Sequence, residues 1–258
     1  MNMKKIALLF AGQGAQSVGM GKDLVEKSTA AAALFKEADQ ILGFSLSQVI
    51  FEGPVEELTK TSICQPALYV HGLACLAALR EKVPGIEFAA TAGLSLGEFT
   101  AHAAAGTFDF ATGLRLVKRR ADAMQKACEE TEGGMAAVIG GEENRIRELA
   151  AAADVDVANL NSPGQVVLSG ESSKIALAVS LAREYGARKA VELQVAGAFH
   201  SRLMESAYQS LGAALAETPM LTPQIPVVCN VDAQAVTDAD VIRRSLADQV
   251  TGSVRWTE

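Results

Sequence analysis

A serine between two glycines is the first feature of this sequence that could carry chemistry. Residues 92–102 read AGLSLGEFTAH, so Gly93, Ser95 and Gly97 form a G-x-S-x-G pattern between a short apolar run and a helix-like stretch. In a nucleophile elbow, this pattern makes a turn so tight that only small residues fit beside the serine. The N–H of Leu96, at the positive end of the following helix, would then face a developing oxyanion. Glycine and serine are also common in loops, so the pattern by itself leaves a purely structural turn open.

A serine nucleophile needs a base to remove its proton, and the sequence contains three histidines. His102 follows Ser95 at a distance of about 10 Å along a helix, too far for a hydrogen bond, so we expect it to pair with Glu98 one turn before it. His71 lies in an apolar helical stretch and is expected to be a packing residue. His200, in VAGAFHS, follows the last strand of a second part of the fold and could approach a cleft between domains. By elimination, His200 is the predicted base.

A glycine-rich stretch, FAGQGAQ at residues 10–16, follows the first apolar run. It lacks the G-K-[ST] ending of a phosphate-binding P-loop, and Ser17 stands where a dinucleotide-binding turn has Gly or Ala. The sequence therefore favours another use of this turn, in which Gln13 or its backbone is brought to the oxyanion.

Predicted strands and helices alternate over the first half of the chain, in the order needed to place this serine. KKIALLFAG at 4–12 indicates a buried strand, and EFAATAGLS at 87–95 indicates a short strand that runs into the serine. The predicted helical stretches are DLVEKSTAAAALFKEADQIL, QPALYVHGLACLAALREKV, LGEFTAHAAAG and GLRLVKRRADAMQKACEE. Such alternation predicts an α/β fold, with a parallel sheet and helices packed on it.

The pattern changes between residues 128 and 196. The segments GMAAVIG, ENRIRELAAAA, VDVANLN, QVVLSG, SSKIALAVSLAREYG and RKAVELQV read as strand, helix, strand, strand, helix and strand. A turn-forming S-P-G at 162–164 joins the middle strands. This is the order of a ferredoxin-like unit. We therefore expect a small ferredoxin-like subdomain at 128–196, inserted into a larger catalytic core formed by 1–127 and 197–258.

Composition limits the classes of protein that the chain can represent. It has 258 residues, of which 49% are hydrophobic and 21% charged, as is typical of a globular protein. A net charge of −7 argues against a nucleic-acid-binding protein. The four cysteines are scattered, with no C-x-x-C pair and no metal-like spacing to the histidines. We therefore expect a cytoplasmic protein with reduced thiols and no metal site.

The N-terminus, MNMKKIALLFAGQGAQ, has two features of a signal peptide, because two lysines precede an apolar run. The run is at the lower limit for such a segment and Gln13 follows at once, so a buried first strand is the favoured interpretation. No stretch approaches the roughly 20 apolar residues of a membrane helix, so no membrane association is expected.

Seven segments, taken together and in their order along the chain, resemble those of a known protein family more specifically than any single motif does. They are FAGQGAQ, GLSLGE, VKRRADAM, NLNSPGQVVLSG, AFHSRLM, PVVCNVDA and QVTGSVRW, and they span nearly the whole chain. The chain resembles the malonyl-CoA:acyl carrier protein transacylases of fatty acid synthesis and the related acyltransferase domains of polyketide synthases. The resemblance implies an α/β-hydrolase-like core with a ferredoxin-like subdomain and an active site between them. It also implies transfer of a malonyl group from malonyl-CoA to the phosphopantetheine thiol of acyl carrier protein, with no cofactor besides these substrates.

Residue by residue, the resemblance implies a set of roles. Ser95 corresponds to the acyl-accepting nucleophile and His200 to its base. Arg120 corresponds to the arginine that holds the free malonyl carboxylate, which a guanidinium can bind through two parallel hydrogen bonds. The remaining correspondences are Gln13 and the Leu96 amide as oxyanion donors, Gln249 as the residue whose backbone carbonyl orients the histidine, and Phe199 as a residue associated with selection of unbranched malonyl.

Three departures from the family's pattern bear on these roles. Leu94 stands where the family commonly has His before the nucleophile, Ser253 stands where a proline is usual, and relatives continue for a few tens of residues beyond VRWTE. Without that portion, a sheet edge would be left uncovered. Two alternative functions stay open. One is a serine esterase or thioesterase that uses water as acceptor, and the other is a non-catalytic, acyltransferase-like module that binds the carrier protein.

Overall fold

The computed structural model describes residues 5–258, so the start of the predicted first strand, Lys4, lies outside the described residues, as does the beginning of the alternative signal peptide. The chain divides into two units. The first unit consists of the residues up to Asp122 together with Ala214–Cys229 and Gln234–Arg243, and the second consists of Ala123–Ala213, Asn230–Ala233 and Arg244–Glu258.

The strands and helices predicted before residue 197 follow one another in the expected order, although the first strand is less buried than expected, with Leu9 68% exposed. The strands are β1 (Ala7–Phe10), β2 (Ala90–Gly93), β3 (Gly133–Ile139), β4 (Asp156–Ser162), β5 (Gln165–Glu171), β6 (Lys189–Glu192), β7 (Val227–Val228) and β8 (Ala235–Val236). The α-helices are α1 (Lys22–Lys27), α2 (Thr29–Leu42), α3 (Leu46–Glu52), α4 (Val55–Thr59), α5 (Thr61–Lys82), α6 (Leu96–Ala104), α7 (Phe110–Glu130), α8 (Glu143–Ala152), α9 (Ser172–Leu181), α10 (Glu205–Glu217) and α11 (Ala239–Asp248).

The first unit contains a sheet in the order β1-β2-β7-β8. The strands β1, β2 and β7 are parallel, and Phe10 at the end of β1 lies opposite Gly93 at the end of β2. Helix α6 follows β2 directly and contacts both β1 and β2. The predicted α/β fold with a parallel sheet is therefore confirmed. The two-residue strand β8, which pairs antiparallel with β7, is too short to leave a pattern in the sequence.

The second unit contains an antiparallel sheet in the order β4-β5-β3-β6. Helices α8 and α9 pack on it through a core that includes Ile146, Leu149 and Ile175. The turn between β4 and β5 is made by the predicted S-P-G, where Gly164 has φ +74°. Strand order and helix placement are those of the expected ferredoxin-like arrangement. The boundary of that subdomain at 128–196 stays a prediction.

The predicted helical stretch over residues 23–42 is interrupted at Ser28. This residue has an extended backbone (φ −136°, ψ 116°), and its hydroxyl accepts a hydrogen bond from the N–H of Ala31, which makes it the N-cap of α2. The same hydroxyl also donates a hydrogen bond to the carboxylate of Glu81 on α5. A local cap and a contact distant in sequence together end one helix and begin the next.

Helix α5 corrects the expectation that no stretch is long and apolar enough to cross a membrane. By length and composition Thr61–Lys82 meets that criterion, and 61% of its most apolar window is buried within the protein. Tyr69, Val70 and Ala74 are among its fully buried residues. A core helix of a globular unit has this composition because most of its surface is covered by other elements.

Candidate active site

The turn around Ser95 has the backbone geometry of a nucleophile elbow. Strand β2 ends at Gly93 and α6 begins at Leu96. Ser95 lies between them with φ 52° and ψ −108°, a strained conformation for a residue other than glycine. A Cβ on Gly93 would lie 2.0 Å from the carbonyl carbon of Gly97, so only glycine fits there. The strand–turn–helix context that the motif requires is therefore present.

We expect Gly97→Ala to destabilise the first unit, because a Cβ at this position would lie 2.3 Å from the carbonyl oxygen of Phe10 in β1. Backbone atoms cannot move aside as the end of a side chain can, so the free energy of unfolding should fall by about 3 kcal/mol. Gly212→Ala is the matched control, since Gly212 is also helical and a Cβ there would meet no described atom within 4 Å apart from its chain neighbours and the backbone of its own helix. Urea denaturation measures both variants, and equal midpoints would contradict this packing.

A buried arginine contacts the hydroxyl of Ser95. Arg120, on α7, is 1% exposed, and its Nη2 donates a hydrogen bond to Oγ of Ser95 over 3.0 Å. Its Nη1 donates to Oε1 of Gln65 over 2.6 Å, and its Cζ lies 5.5 Å from the ring centroid of Phe99. Burial lowers the pKa of the guanidinium to about 10, so the group is charged at neutral pH. A fixed cation beside the serine can bind an anionic part of a substrate.

Gln65 is a residue of the candidate site that the sequence reasoning missed. It is buried near the beginning of α5, and its amide oxygen accepts the hydrogen bond that fixes the plane of the Arg120 guanidinium. The available signal was a polar residue at the start of the apolar stretch 65–83, because a buried amide must find a partner. The identity of that partner, 55 positions away, could not be read from the sequence.

The two predicted oxyanion donors lie in the first unit. Leu96 is the first residue of α6, and in the described part of the chain its N–H has no hydrogen-bond acceptor, as expected in the first turn of a helix. The loop that carries Gln13 packs directly on the elbow, since a Cβ on Gly12 would lie 2.5 Å from the carbonyl oxygen of Leu94. Nε2 of Gln13 donates to Oγ1 of Thr61 over 3.4 Å, a long hydrogen bond that a substrate oxygen can replace.

The predicted base belongs to the second unit. His200 is buried, and its Nδ1–H donates a hydrogen bond to the backbone carbonyl oxygen of Gln249 over 2.7 Å. This bond fixes the tautomer in which Nε2 carries the lone pair, as a base requires. The backbone of His200 has φ 56°, which is uncommon for a residue other than glycine, and the preceding Phe199 is buried.

The structure thus brings the predicted residues together in two groups, one within each unit. Ser95 and Arg120 are hydrogen-bonded in the first unit, and His200 and Gln249 are hydrogen-bonded in the second. The pairing of Ser95 with His200 stays a prediction, as do the functional roles of Gln13, Leu96 and Phe199.

A second buried polar cluster lies on α6. Nε2 of His102 is 3.9 Å from Oε1 of Glu98, so the two side chains are neighbours as their spacing predicted. Nδ1 of His102 lies 3.1 Å from Oγ1 of Thr107, and burial lowers the pKa of His102 to about 3, so the imidazole is neutral. Glu98, His102 and Cys229 place one donor atom each within 4.8 Å of one another. Because a metal ion could use these donor types, the predicted absence of a metal site stays a prediction.

Comparison with known proteins gives consistent matches over nearly the whole chain. The sequence profile described as "acyl transferase domain" matches residues 7–256. The chain is 41% identical over 261 residues to the malonyl CoA-acyl carrier protein transacylase of Bacillus subtilis, covering 99% of this chain and 82% of that protein. It is similar to the crystal structure of an acyl carrier protein S-malonyltransferase from Vibrio cholerae, with a TM-score of 0.94, 39% identity, and coverage of 98% and 84% of the two chains. Another similar structure is a malonyl-transacylase in complex with its type II polyketide synthase acyl-carrier protein, with a TM-score of 0.91, 36% identity, and coverage of 98% and 83%.

Proposed function

The chain belongs to the acyl transferase domain family, and we propose on this basis that it transfers a malonyl group from malonyl-CoA to the phosphopantetheine thiol of an acyl carrier protein. It would act as an acyl-carrier-protein S-malonyltransferase in fatty acid biosynthesis. The observation that carries the proposal is the buried guanidinium of Arg120, 3.0 Å from Oγ of Ser95. A cation at this position suits an acyl group that keeps a free carboxylate while its thioester reacts.

In the first half-reaction, His200 accepts the proton of Ser95 while Oγ attacks the thioester carbonyl carbon of malonyl-CoA. The oxyanion of the tetrahedral intermediate accepts hydrogen bonds from the N–H of Leu96 and from Gln13. The carbon–sulfur bond then breaks, and CoA leaves as a thiol with the proton from His200. A malonyl ester of Ser95 remains, with its free carboxylate bound to Arg120.

In the second half-reaction, the phosphopantetheine thiol gives its proton to His200, and its sulfur attacks the ester carbonyl. Oγ of Ser95 leaves and recovers the proton, so the malonyl group ends on the carrier protein. The backbone carbonyl of Gln249 keeps the imidazole oriented through both steps, and Phe199 favours an unbranched malonyl group. No cofactor is needed, because the two substrates and the side chains of Ser95 and His200 supply every reacting group.

The protein partner in this proposal is an acyl carrier protein. The similar malonyl-transacylase that was solved with its acyl-carrier protein supports this choice. We place the reaction in the cytoplasm, where thiols stay reduced. In support, the structure holds Cys64, Cys75, Cys128 and Cys229 as free cysteines.

Intact-protein mass spectrometry after incubation with malonyl-CoA tests the proposal. We expect a mass increase of one malonyl group, located on Ser95 by peptide mapping, which is lost when phosphopantetheinylated carrier protein is added. A thioesterase would lose the adduct to water before the carrier is added, whereas a non-catalytic module would bind the carrier without forming an adduct. Folded protein that forms no adduct would refute the transferase proposal.

A further inference from the structure

Three buried side chains with metal-binding donor atoms meet in the first unit. Glu98 and His102 are one helical turn apart on α6, so they lie on the same face of that helix. Cys229 directly follows β7, a strand of the parallel sheet that α6 contacts. Each of the three residues is at most 1% exposed, and their donor atoms, one from each, lie within 4.8 Å of one another. The fold thus brings donors from a helix and from the end of a strand into one interior cluster.

His102 has one ring nitrogen with a hydrogen-bond partner and one without. Its Nδ1 lies 3.1 Å from Oγ1 of Thr107. Its Nε2 is buried and has no hydrogen-bond partner among the residues that the structure describes. The distance from Nε2 to Oε1 of Glu98, 3.9 Å, is too long for a hydrogen bond. Because buried polar atoms are normally paired, an unpartnered nitrogen beside a carboxylate indicates a missing ligand between them.

The donor types of this cluster match the preferences of a zinc ion. Zinc binds imidazole nitrogen, cysteine thiolate and carboxylate oxygen, commonly in tetrahedral geometry with bonds of about 2.0–2.3 Å. Donor atoms at tetrahedral angles are then about 3.3–3.8 Å apart, so any two donors need to approach by no more than about 1.5 Å. The thiolate and the carboxylate together balance both positive charges of the ion, as a site in the protein interior requires.

We propose that Glu98, His102 and Cys229 bind one zinc ion, which ties α6 to the end of β7. The ion is structural, so its presence does not depend on the proposed function. The spacing of the three residues along the chain does not reveal the site, because Cys229 is remote in sequence from the other two. Only the packing of α6 on the sheet brings its thiol to them.

Metal binding leaves each ligand in a defined protonation state. The thiol of Cys229 loses its proton to solvent, whereas the carboxylate of Glu98 and the lone pair on Nε2 of His102 bind directly. The proton on Nδ1 of His102 stays and is donated in a hydrogen bond to Oγ1 of Thr107, which fixes the orientation of the ring. A water molecule fills the fourth position of the tetrahedron.

Cobalt substitution of the whole chain, without an affinity tag, tests the site, because cobalt(II) takes the same ligands as zinc and absorbs light. The ligands are buried, so cobalt is supplied during growth and, in a second preparation, during refolding from urea. We expect one cobalt per chain, a near-ultraviolet charge-transfer band from thiolate, and the visible bands of tetrahedral coordination. Protein prepared with zinc should unfold at a higher temperature than metal-free protein. A chain that holds no metal after either preparation would overturn the proposal.

Cys229→Ser removes the thiolate and keeps the size of the side chain. We expect the near-ultraviolet band to disappear and the metal affinity to fall at least about a hundredfold, because loss of a group that only orients a ligand already costs up to that much. Cys75→Ser is the matched control. Cys75 lies 3.7 Å from Nε2 of His71, but no third such donor lies as close in the part of the chain that the structure describes, so the spectrum should not change. A band that persists in Cys229→Ser, or that disappears in Cys75→Ser, would overturn the proposal.

Two further measurements keep the site testable if Cys229→Ser fails to fold. X-ray absorption of the unchanged protein with zinc should show one sulfur at about 2.3 Å and nitrogen or oxygen at about 2.0–2.2 Å, and any other number of sulfurs would contradict the site. Thr107→Val removes the acceptor for Nδ1–H of His102 and should weaken metal binding about 10–100-fold. Thr218→Val, which removes a hydroxyl bonded within its own helix, should not. Equal affinities of the two variants would remove His102 from the site and refute it.

Discussion

In a Ser95→Ala variant, we expect no malonyl-enzyme and a rate of carrier malonylation at least about a thousandfold below that of the unchanged protein. The reason is that the elbow holds this hydroxyl at the N-terminus of α6, within 3.0 Å of the Arg120 guanidinium. Without the hydroxyl, the chain has no atom at the turn that can accept the acyl group. Intact mass after incubation with malonyl-CoA measures the first effect, and chromatography of the carrier protein measures the second.

Two controls separate lost chemistry from lost structure. Ser95→Ala should still unfold cooperatively, with a midpoint lowered only modestly by the loss of the acceptor for Arg120, because the glycines on either side hold the strained backbone. Ser180→Ala removes an exposed hydroxyl that donates to the carbonyl of Leu177 in the same helix, and should leave adduct formation unchanged. An adduct of undiminished amount on Ser95→Ala would place the nucleophile elsewhere.

Replacing Arg120 by alanine should abolish the preference for malonyl-CoA over acetyl-CoA. Losing one partner of a buried charge pair costs about 3–5 kcal/mol, which corresponds to a factor of about one hundred to a few thousand in kcat/KM for malonyl-CoA. Acetyl-CoA offers no carboxylate to the guanidinium, so its kcat/KM should change far less. The rate of enzyme loading, measured with each thioester in turn, gives the ratio directly.

Variants of the same helix sharpen this test. Arg120→Lys keeps the positive charge but lacks the planar fork with which the guanidinium contacts Gln65 and Ser95, so we expect a preference between those of the alanine variant and the unchanged protein. Arg115→Ala removes an exposed cation of α7 and should not alter the loading step. Equal malonyl preference in Arg120→Ala and Arg115→Ala would exclude Arg120 from the substrate site.

The fold was largely predictable because its elements leave strong local patterns. The ferredoxin-like sheet was predicted from six segments in the order strand, helix, strand, strand, helix and strand, with a Ser-Pro-Gly turn between β4 and β5. The interruption at Ser28 was missed, because residues on both of its sides favour a helix. Only the cap to Ala31 and the hydrogen bond to Glu81 reveal why the chain breaks there, and the second of these is a tertiary contact.

From residue patterns alone, the candidate site was predictable mainly where it depends on local geometry, and Arg120 was identified through the family resemblance. The elbow at Ser95 follows from glycine spacing, which sterics alone dictates. Arg120 stands at the end of the run Lys118-Arg119-Arg120, and successive residues of a helix point about 100° apart. Packing decides that Arg119 is exposed and Arg120 buried, so nothing in the run itself distinguishes them. The partner on α5, Gln65, depends on the same packing and was missed for the same reason.

The bond between His200 and Gln249 has a consequence for mutational scanning. Its acceptor is a peptide oxygen, which all twenty amino acids possess, so no coded replacement at position 249 can delete it. A scan would score this position by how well each side chain fills a sealed space, since Gln249 is fully buried. The effect of the hydrogen bond that orients His200 would therefore not be detected in such data. An inserted residue after α11, which displaces the peptide group, would break this hydrogen bond, which none of the nineteen substitutions at position 249 can do.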